Sequence, residues 1–265
     1  MTLLDQIVKV KRKELEVVKR SMPVEELMAH PLFKRKAISL KKRLPDADPG
    51  GIIAEFKRQS PSKGIINWSV KIEEVIRGYV SAGAAGLSVL TDPEFFGGSV
   101  TDMRRARAVS GDTPILRKDF IIDEYQVIEA KAFGADVLLL IAEILSAREI
   151  ERFSALAREH DLEVLLEMHH PEQLPKVCEE VDLVGINNRN LEDFSVDIKT
   201  SLEISEQIPA GKIKVSESGL DSAGVIRKLV GSGYKGFLIG EYFMKHSRPH
   251  QACSELIKSL KKNGG

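Results

Sequence analysis

Hydrophobic residues along this chain fall into two alternating kinds of segment. Short runs rich in Val, Ile and Leu are separated by longer stretches in which apolar residues recur at helical spacing. The short runs predict strands over Gly51–Arg58, Gly86–Thr91, Pro114–Lys118, Asp136–Ala142, Leu162–Met168, Leu183–Asn187, Ile213–Ser218 and Gly236–Gly240. Several, such as "VLLLIA" from Val137, are almost continuously apolar, the pattern of strands covered on both faces of a parallel sheet. The intervening stretches carry helix signals. Ser146 precedes "AREIERFSALARE", where Ile150, Phe153, Leu156 and Ala157 share a face. Asp123 is placed to cap "EYQVIEAKAFGA", Pro171 stands at the start of "EQLPKVCEE", and Asp221 precedes "SAGVIRKLVGSG", which ends in glycine.

Eight β–α units in succession, with no long break in composition, favour a single (β/α)8 barrel of the TIM type. An open doubly wound sheet is the alternative. Residues 1–48 show no strand pattern and predict an N-terminal helical extension, with the barrel over 49–265. In "LLDQIVKVKRKELEVVKR", Leu4, Ile7, Val8, Leu15 and Val18 lie near one helical face, and Pro31 interrupts the following segment. The extension is expected to cover one end of the barrel or to pack against its side. Asp46–Gly51, rich in Pro and Gly, predicts a hinge between the two parts.

Composition narrows the setting. Of 265 residues, 43% are hydrophobic, enough for a sizeable core. No apolar run is long enough to span a bilayer, and the charged N-terminus does not read as a secretion signal. Cys178 and Cys253 are far apart and form no C-x-x-C pair, which argues against a disulfide framework or zinc site and fits a cytoplasmic location. The formal net charge is zero, so no global attraction to nucleic acid or membrane is expected. Residues 1–43 are nevertheless basic, with twelve Lys and Arg against five Asp and Glu. This is a solvated helical face or a basic cover near an anionic ligand.

Charged residues occur where core residues are expected. In "GIIAEFKR", alternation puts Ile52, Ala54 and Phe56 on one face and Ile53, Glu55 and Lys57 on the other. The apolar trio suits the helix-covered side, which turns Glu55 and Lys57 toward the barrel interior. Charges there are costly unless they pair or serve chemistry, and the C-terminal ends of barrel strands are where catalytic groups sit. Lys118, Glu167, Asn187 with Arg189, and Glu217 with Ser218 occupy equivalent places on other strands. A lysine desolvated near another cation is expected to have a lowered pKa, and a glutamate against apolar walls a raised one; such a set suits proton transfer at a carbonyl. No motif suits serine or cysteine nucleophiles. His169 and His170 adjoin Glu167, but neighbours in a strand face opposite ways and make a poor metal clamp.

A phosphate subsite is expected after strands seven and eight. Ser218 and Gly219 offer a hydroxyl and an open backbone N–H. Gly240 and Glu241 would open a short helix, with only the backbone of Glu241 favouring an anion. The polar loop "KRQSPSKGIIN", with Ser60 and Pro61, suits a mobile flap.

The segments "IIAEFKRQSPSKGII", "LSVLTDPEFFGGS", "PILRKDFIIDEYQV", "LLEMHH", "GINNRNL", "VSESGL" and "LIGEYFM" closely resemble the successive motifs of the indole-3-glycerol-phosphate synthase family, and the N-terminal "LLDQIVKVKRKELE" extends the resemblance over nearly the whole chain. The resemblance implies the ring closure of 1-(2-carboxyphenylamino)-1-deoxyribulose 5-phosphate to indole-3-glycerol phosphate, with loss of carbon dioxide and water. It implies a carboxy-lyase of tryptophan biosynthesis with no cofactor and no metal. Carried over residue by residue, Lys118 resembles the general acid and Glu167 the partner for later proton transfers. Lys57 resembles the holder of the substrate carboxylate, oriented by Glu55. Asn187, Arg189 and Glu217 match substrate contacts, Phe96 and Pro61 an apolar wall beside Ser60, and Ser218, Gly219, Gly240 and Glu241 the phosphate region. A monomer or weak homodimer is expected. Two alternatives stand: a related barrel isomerase of sugar phosphates or phosphoribosyl amines, and a barrel that only binds ligands.

Overall fold

The computed structural model describes residues 2–47 and 50–262 of the chain. Eight parallel strands close on themselves: β1 (Gly51–Phe56), β2 (Gly86–Leu90), β3 (Ile115–Lys118), β4 (Val137–Ile141), β5 (Glu163–Met168), β6 (Leu183–Asn187), β7 (Ile213–Glu217) and β8 (Gly236–Ile239). β1 pairs with both β2 and β8, with Ile53 opposite Gly86 and Gly51 opposite Gly236. That double pairing rules out the open sheet. Most strands are a residue or two shorter than their apolar runs because the ladder fades into loop hydrogen bonds: Thr91 N–H still donates to Lys118 O (3.1 Å) and Ala142 N–H to Glu167 O (2.9 Å).

Alternation divides the core into two layers. Ile52, Ala54 and Phe56 face outward under the helices with Leu87, Val89, Val164 and Leu166. Ile53, Leu116, Leu139, Leu165, Val215 and Leu238 fill the interior. Two local expectations are corrected. The segment after β5 is not an α-helix but a short 3-10 turn over Pro171–Lys176, since Pro175 has no N–H to give to a helical ladder. The helix over Ala223–Gly231 is capped by Ser222 rather than Asp221.

The extension reaches both ends and one side of the barrel. Helix α1 (Leu3–Ser21) opens with a capping box between Thr2 and Asp5 and buries Ile7, Lys11 and Leu15. It lies across the C-terminal mouth, where Lys11 Nζ meets Asp92 (2.9 Å) and Asp119 (3.1 Å) just beyond β2 and β3. Helix α2 (Val24–Ala29) packs on the helix Glu124–Ala132. Helix α3 (Leu40–Asp46) closes the opposite end. There Leu40 and Leu44 are each 1% exposed, burial worth about 1.5–3 kcal/mol apiece. A Cβ on Gly51 would meet Leu44 at 2.3 Å, so glycine there is what lets the helix seat. Glu163, at the start of β5, accepts the N–H groups of Leu40 (2.8 Å) and Lys41 (2.9 Å) and the hydroxyl of Ser39. The expected boundary between residues 48 and 49, and part of the Asp46–Gly51 hinge, lie outside the described residues.

Candidate active site

The side chains that alternation turned inward at the strand ends converge. Glu55, Lys57, Ser60, Pro61, Phe96, Lys118, Glu167, Asn187, Arg189, Glu217, Ser218, Gly219, Gly240 and Glu241 all line one cavity of about 420 Å³ at the C-terminal mouth. At its floor, Lys118 Nζ stands between two carboxylates, 2.5 Å from Glu167 Oε2 and 2.7 Å from Glu217 Oε2. Asn187 donates to the other oxygen of Glu167 at 3.0 Å. Glu217 fits because β6 has glycine two positions before Asn187, the register partner of Glu217: a Cβ on Gly185 would lie 2.5 Å from Glu217 Oε1.

This geometry reverses the expected pKa shifts of two residues. Burial pushes the Lys118 ammonium down, but Glu167 and Glu217 outweigh it and hold the pKa well above the ordinary lysine value. Among the described residues no second cation lies at hydrogen-bond distance to lower it; the groups paired with Lys118 come from β5 and β7 and are acidic. Burial likewise pushes Glu167 up, yet Lys118, His169 and Asn187 overcome it and hold the carboxyl at about 2. Glu217 is the glutamate that behaves as the sequence suggested for Glu167. Burial and repulsion from Glu167 and Glu55 exceed the pull of Lys118, and its pKa rises to about 8. One ammonium cannot keep two buried carboxylates ionised, so the cluster retains a proton near neutrality.

Beside this floor, Lys57 Nζ meets Glu55 Oε1 at 3.0 Å, and Ser88 donates to Glu55 Oε2 at 3.1 Å. Gly240 leaves the space Glu55 occupies, since a Cβ there would lie 2.4 Å from Glu55 Oε1. On the far rim, Ser218 and Gly219 both adopt left-handed backbone (φ 66° and 74°), and Gly240 caps the short helix Glu241–Met244. The Glu241 carboxylate is turned onto Arg189 (2.9 Å), with Lys63 at 3.8 Å. The loop after β1 forms a small antiparallel ribbon, Gln59–Ser60 with Gly64–Ile65. Its two ends are anchored: Arg58 pairs with Asp102 (2.6 Å), and Asn67 donates to Met244 O and His246 O (3.1 Å each).

Some lining residues had no role in the sequence reading. Leu3, Leu4 and Ile7 of α1 form part of the wall; their apolar stripe was visible, its partner was not. Phe120 packs near Phe96, with ring centroids 5.9 Å apart. Lys63 and Lys245 add cations at the rim. His169 also lines the cavity. The signal for it was available, because His169 lies two residues after Glu167 and so shares its face.

A closed parallel barrel with its ionisable groups gathered at the strand C-termini is the arrangement of the (β/α)8 enzymes. Solved structures share this fold with the chain at low identity. They include thiamine phosphate pyrophosphorylase from Pyrococcus furiosus (TM-score 0.61, 16% identity, 86% of this chain and 100% of that one). Another is tryptophan synthase subunit alpha from Legionella pneumophila (TM-score 0.60, 14% identity, 84% and 95%). The chain belongs to the indole-3-glycerol phosphate synthase family, whose sequence profile matches residues 4–256. It is 44% identical to an indole-3-glycerol phosphate synthase of Bacteroides thetaiotaomicron over 97% of this chain and 98% of that one, and 40% identical to that of Salinibacter ruber over 99% and 97%.

Proposed function

We propose that this cavity closes the indole ring of 1-(2-carboxyphenylamino)-1-deoxyribulose 5-phosphate, releasing carbon dioxide and water as a carboxy-lyase of tryptophan biosynthesis. The observation that carries the reading is the position of Lys118, a buried ammonium held between Glu167 and Glu217 at the closed end of a pocket that also carries Lys57, Lys63, Arg189 and Lys245. The substrate has a carboxylate at one end and a phosphate at the other. Lys57 is placed for the carboxylate. The first-turn N–H groups of Glu241–Met244, with Ser218, Gly219 and Gly240, are placed for the phosphate. Arg189 and Lys63 already neutralise the Glu241 carboxylate, which removes an obstacle to an anion there. Phe96, Phe120 and α1 supply the apolar wall for the aromatic ring.

In this scheme Lys118 enters each turnover protonated. As the ring carbon attacks the ketone, its oxygen becomes an alkoxide far more basic than an amine, so even an ammonium with a raised pKa delivers its proton there. Loss of the carboxylate as carbon dioxide neutralises the attacked ring. Dehydration then needs an acid for the departing hydroxyl and a base for the proton lost beside it. Glu167, ionised at rest, serves as the base, and Glu217 retains a proton close by.

Replacing Lys118 with Ala tests the reading. Indole fluorescence is expected to show turnover reduced by about 10²–10⁴-fold, while equilibrium binding of a substrate analogue is largely kept. Near-normal turnover in Lys118→Ala excludes Lys118 as the acid. Isomerisation of a sugar phosphate without indole formation would favour the related-barrel reading.

A further inference from the structure

His169 is a buried titratable group of the cavity wall that this reaction scheme leaves unused. It is 6% exposed, lines the cavity, and has no hydrogen-bond partner at Nδ1 or Nε2 among the described residues. A neutral imidazole always carries one N–H, and leaving that donor buried and unmatched is costly, so its retention calls for an explanation. The residue is firmly held. Its backbone N–H donates to Gln173 Oε1 (2.8 Å), and the Gln173 amide is tied to Glu143. The ionisable groups facing the ring are Glu167 of β5, Lys118 of β3, Glu143 after β4, and His170, whose ring centroid is 6.4 Å away. Burial pushes the imidazole pKa down, which keeps the ring neutral and fit to donate.

His169 Nε2 lies 3.6 Å from Glu167 Oε1, just beyond hydrogen-bond length. In the resting geometry both oxygens of Glu167 already have hydrogen-bond donors, because Lys118 holds Oε2 (2.5 Å) and Asn187 holds Oε1 (3.0 Å). That balance changes once Lys118 turns to the substrate ketone. Oε2 then loses its charged donor, and a shift of about 0.6 Å brings Oε1 to N–H···O distance of the imidazole. We propose that His169 is a positioning residue for Glu167, supplying the donor that fixes this carboxylate while Lys118 is engaged with substrate. The proposal rests on the reading of Glu167 as the proton-transfer carboxylate.

Two kinds of substitution test it. His169→Phe keeps the bulk of the ring and removes the donor, whereas His169→Gln keeps an N–H. In His169→Phe, kcat is expected to fall roughly 10- to 100-fold, a part of the 10²–10⁴ that acid–base groups contribute. KM should stay within about threefold, and His169→Gln should restore most of the loss. The acid limb of the kcat–pH profile should move to higher pH in His169→Phe, because an ionised Glu167 has lost a donor. In a Glu167→Gln background, His169→Phe should cost nothing further. A His169→Phe enzyme within twofold of the parent, an unmoved acid limb, or equal losses in the Phe and Gln variants would each overturn the proposal. Normal turnover in Glu167→Gln alone would instead remove the reading on which it rests. His169→Leu replaces the Phe variant in these comparisons if circular dichroism shows the latter unfolded.

Discussion

Two buried charge clusters sit back to back on β3, and they differ in the way that separates scaffold from site. Arg117 points outward and Lys118 inward from adjacent positions of one strand. The Arg117 guanidinium donates to Thr91 Oγ1 (3.1 Å), Gln126 O (3.1 Å), Asp119 Oδ2 (3.0 Å) and Glu129 Oε2 (2.6 Å). Asp119 accepts in turn from Arg117, Thr91, Phe120 N–H and, across to α1, Lys11. Inside the barrel, Glu217 has Lys118 at one oxygen, shared with Glu167, and nothing at the other among the described residues. Asp119 and Glu217 are both buried, and burial pushes both upward. Yet Asp119 is held at about 2 by Lys11 and Arg117, while Glu217 rises to about 8. Burial alone does not set a carboxyl's proton affinity; the number of donors committed to it does. The outer cluster is saturated by the protein, and the inner one keeps capacity for something else.

The comparison breaks most readily at Arg117. Arg117→Met strands Asp119 and Glu129 without their guanidinium, a loss of about 3–5 kcal/mol for a buried pair deprived of one partner. Chemical denaturation should show that fall in stability. A change below about 1 kcal/mol would mean that the outer cluster is no more structural than the inner one. A subtler expectation concerns Glu217. Its folded pKa lies above the ordinary 4.5, so folding favours its protonated form. That contribution is complete below about pH 4.5 and is lost as the pH climbs through about 8. Glu167, displaced downward to about 2, contributes in full above about pH 4.5 and loses that contribution only as the pH falls below it, so it is constant over the same interval. Thermal midpoints from pH 5 to 8 should therefore decline more steeply in the parent protein than in Glu217→Gln. Parallel curves would show that the proton is not lodged at Glu217. The smallest effect is expected at Lys19, which meets Asp123 at 2.6 Å on the same helix as Lys11 but with 43% of its side chain exposed. Lys19→Met should change stability by no more than about 1 kcal/mol; a larger loss would show that exposure does not separate the two lysines of α1.

Much of this was legible in the chain. Strands buried on both faces leave apolar runs, and the alternation in "GIIAEFKR" separated Ile52, Ala54 and Phe56 from Glu55 and Lys57, as the layers require. The ends of strands were less legible, because hydrogen bonding continues past the last regular pair. The direction of the Lys118 shift was not, since it depends on Glu167 and Glu217, 49 and 99 residues away. The seat of the extension was hidden for a similar reason. An amphipathic stripe records that a face is buried but not against what. His169 was passed over by pairing it with His170 instead of with Glu167, its neighbour on the same face.

The helix α3, seated against Gly51 and tied down by Glu163, gives the barrel a stopper at the end away from the chemistry. Traffic through the molecule is therefore a cul-de-sac. Whatever enters past the loop after β1 and α1 must back out by the same doorway, and in the proposed reaction the gas and water formed at the bottom would have to slip past the heavier indole product or wait behind it.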